Sequence, residues 1–186
     1  MGYSDVTTLL TYFCDHAGLV TYHGPMVTKD FAEGQVWPEL SGRIACPAEA
    51  LRRGQTEGIL YGGCLSMLAA SLGTPYEIQL EDTILFIEDV NTKPFQIERM
   101  LMQLRLAGKL DRVNGFIFGP MLGCVQPGGQ DYTLQEVILR TIDDLIVPIT
   151  YGVPFGHVSA PPNLVMPLGA KVILDVSLHK ASIAPA

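Results

Sequence analysis

Two adjacent carboxylates, Glu88 and Asp89, close the run Thr83-Ile-Leu-Phe-Ile-Glu-Asp-Val90. The apolar residues Ile84 to Ile87 are unbroken, the pattern of a strand buried on both faces. Open α/β sheets place their chemistry outside the carboxyl ends of their strands, so Glu88 is a candidate site residue. His157 is a candidate partner. It lies in the Gly/Pro-rich stretch Gly152 to Asn163, directly after a predicted strand, where loops hold polar groups at a sheet's rim. A carboxylate that orients an imidazole is the base-and-orienter half of a hydrolytic triad: it fixes the ring's tautomer and stabilises the imidazolium formed on taking a proton. The two residues are far apart in sequence, so the fold must pair them. The residue types alone equally describe a surface carboxylate and a loop histidine bonded to backbone. Asp89 beside Glu88 could be read as a carboxylate pair for glycoside chemistry, but neighbours on a strand point to opposite faces.

A triad also needs a nucleophile. The seven serines are Ser4, Ser41, Ser66, Ser71, Ser159, Ser177 and Ser182, and none sits in a Gly-x-Ser-x-Gly elbow. Ser4 reads as a helix cap. Ser66 falls in a short helix. Cys64 lies near a helix start, where a thiolate is favoured. The four cysteines, Cys14, Cys46, Cys64 and Cys124, have long irregular spacings without a CxxC pair, which argues against zinc and for small buried hydrophobes in a reducing cytoplasm. The four histidines form no HxH or HExxH pattern. His23, before Gly24-Pro25, reads as a structural turn histidine, with a place near the active-site cleft as the alternative. No metal and no cofactor is expected.

The elements that must position these groups alternate between helical and strand periods. Ser4 or Asp5 starts a helix whose Leu9, Leu10, Phe13, Cys14 and Ala17 share one face, closed by Gly18. Leu19 to Tyr22 is a short strand. Residues 28–55 read as a crossover with one strand near Arg43 to Ala45. Then follow a strand from Gly58 to Tyr61, a turn at Gly62-Gly63-Cys64, a helix from Leu65 to Leu72, and the strand leading to Glu88. Pro94 opens a helix carrying Ile97, Leu101, Leu104 and Ala107 on one side. Val113 to Phe118 is a further buried strand. Thr133 and Glu136 form a capping box for a helix through Leu145. Val147 to Tyr151 is a strand, and Leu164–Pro167 with Lys171–Val176 reads as a hairpin around Leu168-Gly169.

Composition bounds the class. The chain has 186 residues, 48% hydrophobic and 17% charged, with 19 Gly and 13 Pro, as in a globular α/β protein. The net charge of −7 and the lack of a Lys/Arg cluster argue against nucleic acid or an anionic membrane as partner. No apolar run approaches ~18 residues, so no membrane-spanning helix is expected. No signal peptide is visible.

Seven short motifs occur in order: Gly2-Tyr3-Ser4-Asp5-Val6-Thr7, His23-Gly24-Pro25, Gly62-Gly63-x-Leu65-Ser66, Leu72-Gly73-Thr74-Pro75-Tyr76, Leu85-Phe86-Ile87-Glu88-Asp89-Val90, Leu104-Arg105-Leu106-Ala107-Gly108 and Gly152-Val153-Pro154-Phe155-Gly156-His157. Together they resemble the LD-carboxypeptidase family, which holds murein tetrapeptide carboxypeptidases and the related microcin C self-immunity peptidases. The resemblance implies a serine hydrolase with a Ser-His-Glu triad, in which Glu88 is the acid and His157 the base. It places the nucleophilic serine upstream of the Gly-Tyr-Ser-Asp motif, outside this chain, so the chain alone is expected to be weakly active or inactive. It also implies that Cys64 stands where the family usually has a substrate-binding Asn.

The implied fold is a C-terminal swivelling β/α domain with a mixed sheet, preceded by the tail of a Rossmann-like N-terminal α/β domain. The implied division is a remnant of that domain over 1–30, a linker or crossover over 31–55, and the C-terminal domain over 56–186. The implied substrate is a cytoplasmic murein peptide. The alternatives are a peptidyl or aminoacyl nucleotide, as for the microcin-immunity peptidases, a non-catalytic split half that needs a complementing N-terminal chain, and a truncated product without function of its own. A homodimer is a further expectation from the resemblance.

Overall fold

The structure is a computed structural model that describes residues 1–32, 44–126, 128, 131–160 and 162–186. A short 3-10 turn, Ser4–Val6, leads into α1 (Thr7–Ala17), and β1 (Thr21–His23) follows. After a π-helical turn, Val27–Phe31, come β2 (Ile44–Pro47), β3 (Glu49–Arg52), β4 (Gly54–Cys64), α2 (Leu65–Ala70), β5 (Thr83–Glu88), α3 (Pro94–Leu106) and β6 (Val113–Phe118). The chain closes with α4 (Leu134–Thr141), β7 (Ile149–Tyr151), β8 (Met166–Leu168), β9 (Lys171–Ser177) and β10 (Lys180–Pro185).

Eight strands form a mixed sheet in the order β2-β10-β9-β4-β5-β6-β7-β3. The middle four, β4 to β7, are parallel and adjacent in chain order. Right-handed crossovers between consecutive parallel neighbours put every connecting helix on the same face. That face is one core layer: Leu65, Leu68, Ile97, Leu101, Leu104, Val137 and Ile138 pack on Leu85, Ile87, Phe116 and Phe118. The opposite face of the same strands is a second layer, where Leu60, Ile84, Phe86 and Ile117 meet Leu10, Val153, Phe155, Met166 and Leu168. The central strand β5 is buried at every residue, as its apolar run predicts. Its residues alternate between the layers: Leu85 and Ile87 face the helices, and Ile84, Phe86 and Glu88 face away.

Four local expectations are corrected. Leu164–Pro167 and Lys171–Val176 do not form a hairpin. Instead β8 pairs antiparallel with β1 in a small two-stranded sheet, Thr21 opposite Leu168 and His23 opposite Met166. The hairpin partner of β9 is β10, whose Lys, Ser and Pro residues hid a strand. Residues 44–55 are not a crossover, for β2, β3 and the start of β4 all lie in the large sheet, and Gly62-Gly63-Cys64 ends strand β4 rather than forming a turn. Arg43, the expected start of a strand, lies outside the described residues. Lastly, α1 buries Thr7, Leu10 and Thr11 and leaves Leu9 and Phe13 about half exposed.

Three terminal signals of the helices are borne out, whereas the helix expected through Leu145 ends at Thr141. Gly18 is left-handed at φ 63° and caps α1. Pro94 opens α3. The Thr133 hydroxyl accepts from Glu136 N–H (3.2 Å) while the Glu136 carboxylate accepts from Thr133 N–H (2.6 Å), which completes the capping box.

Candidate active site

Strand parity decides what the two acids do. Glu88 follows Ile84 and Phe86 onto the face away from the helices, and Asp89 turns the other way. Asp89 is buried and fully occupied: it accepts from Ser66 N–H (3.0 Å) and Ser66 Oγ (2.7 Å) at the start of α2, and from Val90 N–H (2.8 Å) and Thr92 Oγ1 (2.7 Å). It is a bracket between the end of β5 and helix α2.

Glu88 meets His157. The Glu88 Oε2 atom accepts from His157 Nδ1 at 2.6 Å and from the His157 backbone N–H at 3.1 Å. Glu88 is 1% exposed and His157 is 15% exposed at its side chain, so the carboxylate is dry and the ring reaches the surface. With Nδ1 turned to Glu88, Nε2 is the nitrogen left to take a proton. The loop that carries His157 is held by Asn163, which accepts from Gly156 N–H and donates to Gly156 O, both at 3.0 Å. Gly156 has φ 74°, and a Cβ there would stand 2.5 Å from Glu88 Cγ. Gly119 is similar, with a Cβ position 2.9 Å from Glu88 Cβ. Bare backbone on two sides makes the carboxylate's seat.

Ser4 does not cap a helix. Tyr3 precedes the 3-10 turn, Val6 precedes α1, and neither cap carries a side-chain hydrogen bond. Ser4 instead has φ 61°, a left-handed conformation that costs a non-glycine residue free energy and gathers at functional sites. Gly2 sits beside His23 in a parallel bridge, with Gly2 N–H bonded to Tyr22 O (3.2 Å) and Gly24 N–H to Gly2 O (3.1 Å). The chain therefore runs from an isolated β-bridge, through a left-handed serine, into a 3-10 turn and a helix, a path that resembles a nucleophile elbow. Gly2 supplies the pattern's first glycine. The second is replaced by Val6, whose Cγ1 stands 3.1 Å from where a Gly2 Cβ would be. Tyr3, next to Ser4, packs edge-on against His157 with ring centres 4.8 Å apart.

His23 stands behind Glu88. It is fully buried, with Nε2 3.7 Å from Glu88 Oε1. Burial lowers its pKa from 6.5 to about 4, against a smaller opposing pull from Glu88, so it is neutral at pH 7. Cys64 is buried, its thiol 3.3 Å from Ser66 Oγ and 3.8 Å from Asp89 Oδ2. Burial pushes that thiol up to about 12, which keeps it protonated and unsuited to nucleophilic attack at neutral pH. Among the described residues no cluster of three or more His, Cys, Asp or Glu could hold a metal ion.

Glu88 and His157 come together as their residue types suggested. Ser4, His23, Gly156 and Asn163 were not assigned to the site from sequence. The available signal for Ser4 was half an elbow, Gly2-x-Ser4 directly before a helix. For His23 it was a histidine closing a strand. Nothing in the sequence marked Asn163.

At the rim of its parallel strands this α/β fold holds a buried Glu–His pair, the arrangement of the base and orienter in a hydrolytic triad. Residues 57–174 match the LD-carboxypeptidase C-terminal domain. Over 98% of its length the chain is 36% identical to a Bacillus subtilis (strain 168) protein named "Probable murein peptide carboxypeptidase", of which it covers 61%. The crystal structure of muramoyltetrapeptide carboxypeptidase from Oxalobacter formigenes superposes on the whole chain with a TM-score of 0.85 at 27% identity, 67% of that protein being covered. Microcin C7 self immunity protein MccF, in an inactive mutant without ligand, shares the fold at a TM-score of 0.83 and 24% identity, with 66% of it covered. The chain belongs to the LD-carboxypeptidase family, and it spans about 60% of the length of the curated relatives it matches.

Proposed function

We propose that this chain carries the catalytic residues of a serine-type LD-carboxypeptidase, with Ser4 as nucleophile, His157 as general base and Glu88 as the residue that orients His157. The observation that carries the reading is the buried Glu88–His157 pair, 2.6 Å between Oε2 and Nδ1, at the rim of the parallel strands. The left-handed Ser4 between a β-bridge and a helix, its neighbour Tyr3 against the His157 ring, supports placing the nucleophile within this chain rather than upstream of it.

Ser4 Oγ attacks the carbonyl carbon of the scissile amide while His157 Nε2 takes its proton. The imidazolium is stabilised by Glu88 and returns the proton to the leaving amine. Water, activated by the same nitrogen, then releases the acyl group. The N–H of Asp5, the residue after the nucleophile at a helix start, is the first donor for the oxyanion. The proposed substrate is a murein tetrapeptide and the proposed product a terminal D-amino acid, in keeping with the names of the Bacillus subtilis and Oxalobacter formigenes relatives. The similarity to MccF is one of fold, so an aminoacyl nucleotide is the competing substrate in a side-by-side assay.

The test is release of D-alanine from a murein tetrapeptide. Ser4→Ala and His157→Ala are each expected to lower turnover by roughly 10⁴-fold or more. Undiminished turnover in Ser4→Ala places the nucleophile elsewhere. Measuring mass with and without a separately made N-terminal portion of a relative tests whether a second chain completes the substrate cleft; no association counts against it.

A further inference from the structure

Among the described residues, four of the five buried side-chain polar atoms without a hydrogen-bond partner lie on three residues of the site: the Tyr3 hydroxyl, both ring nitrogens of His23, and Glu88 Oε1. Of these, His23 Nε2 and Glu88 Oε1 face each other at 3.7 Å, both residues being at most 1% exposed. The other walls around His23 are aromatic: Phe86 at 5.2 Å between ring centres, Phe155 at 6.0 Å and Tyr3 at 6.3 Å. No solvent reaches the pair.

A carboxylate has lone pairs on both oxygens. Oε2 of Glu88 is served twice by His157, whereas among the described residues Oε1 has no hydrogen-bond partner and faces His23 Nε2 at 3.7 Å, longer than a hydrogen bond. A buried ionised oxygen left without a donor is costly, and so is a buried imidazole N–H without an acceptor. One tautomer lowers both costs, with the proton of a neutral His23 on Nε2, directed at Oε1 across 3.7 Å, a gap that a small shift of either side chain closes. The charged groups facing His23 are Glu88 on β5 and His157 on the loop after β7, and they act in opposite senses on it.

We propose that His23 is a positioning residue for the Glu88–His157 pair: as a neutral, Nε2-protonated imidazole it anchors Glu88 Oε1 and so fixes Oε2 toward His157. The proposal rests on the reading of that pair as the working base and orienter. Without the anchor, the carboxylate turns about its Cγ–Cδ bond and shares its oxygens between His157 and the apolar wall.

The experiment uses the full chain labelled with ¹⁵N-histidine and reads imidazole tautomers by NMR, together with turnover. In the wild type, His23 is expected to be Nε2-protonated at pH 7, and His157 to show one dominant Nδ1–H tautomer. His23→Leu keeps the volume and removes the donor. It should leave the melting transition cooperative, mix the His157 tautomers and lower kcat roughly ten- to a hundredfold with little change in KM. His23→Gln places an amide N–H near the position of Nε2 and should restore both. An Nδ1-protonated or charged His23, an unchanged His157 tautomer in His23→Leu, or a Gln variant no better than Leu would overturn the proposal. Tautomers are read without turnover, so a chain that hydrolyses nothing fails the proposed function alone.

Discussion

At the scale of single residues, the site depends on a charge held dry and on glycines that leave room for it. Glu88→Gln keeps the shape but offers His157 an amide in place of a carboxylate. The expected loss in D-alanine release is about 10⁴-fold, as when a triad acid is neutralised and the histidine tautomer is lost. Gly156→Ala puts a methyl group 2.5 Å from Glu88 Cγ at a backbone φ of 74°. We expect a stability loss of roughly 1–3 kcal/mol in denaturant titration and a larger proportional loss of turnover, because the displaced group is the acid itself. His23 gives the protein a pH-dependent stability. Its folded pKa of about 4 lies below the unfolded 6.5, so the unfolded state takes up the proton first as pH falls. The stabilisation is complete above pH 6.5 and is lost between 6.5 and 4. At 1.36 kcal/mol per pH unit this is roughly 3 kcal/mol. His23→Leu should flatten that part of the stability curve, measured as the denaturation midpoint against pH.

At the scale of elements, the sequence was most legible where a pattern had one physical cause. The unbroken Ile84–Ile87 run matched a doubly buried strand, and the Thr133/Glu136 and Pro94 signals marked helix starts. Alternation along a strand also separated Glu88 from Asp89 before any contact was known. Legibility failed where pairing is long-range. Leu164–Pro167 looked like one arm of a hairpin because Gly169 follows closely, yet its partner is β1 at the other end of the chain. Strand β10 went unread because Lys180, Ser182 and Pro185 mask its period. The cap reading of Ser4 failed for a related reason: a serine before a helix is usually a cap, and only the backbone, left-handed at Ser4 and without a side-chain cap bond, shows that it is not one here. The Asp89 bracket carries its own prediction. Asp89→Ala strands Ser66 N–H and the Thr92 hydroxyl in a part-buried setting. It should cost about 1–3 kcal/mol and loosen the start of α2, seen as faster amide exchange at Ser66 and Met67.

At the scale of the whole molecule, the candidate site lies between two bodies of unequal support. Glu88 and His157 hang from the rim of an eight-stranded sheet, whereas Ser4 and His23 belong to the turn, helix and two-stranded sheet laid over it. Two-stranded sheets have little stability of their own. Amides of β4, β5 and β6 should therefore exchange most slowly, and those of β1 and β8 faster. The single-face arrangement of α2, α3 and α4 also sets an order of events in time. Each of those helices closes a short loop between neighbouring strands. The Glu88 face is sealed only when Thr21 finds Leu168 and Phe155 reaches Phe86, long-range pairings of which the first bridges most of the chain. Closing long loops is slow. In a refolding experiment, hydrolytic activity should thus return after most of the helical circular-dichroism signal has been regained.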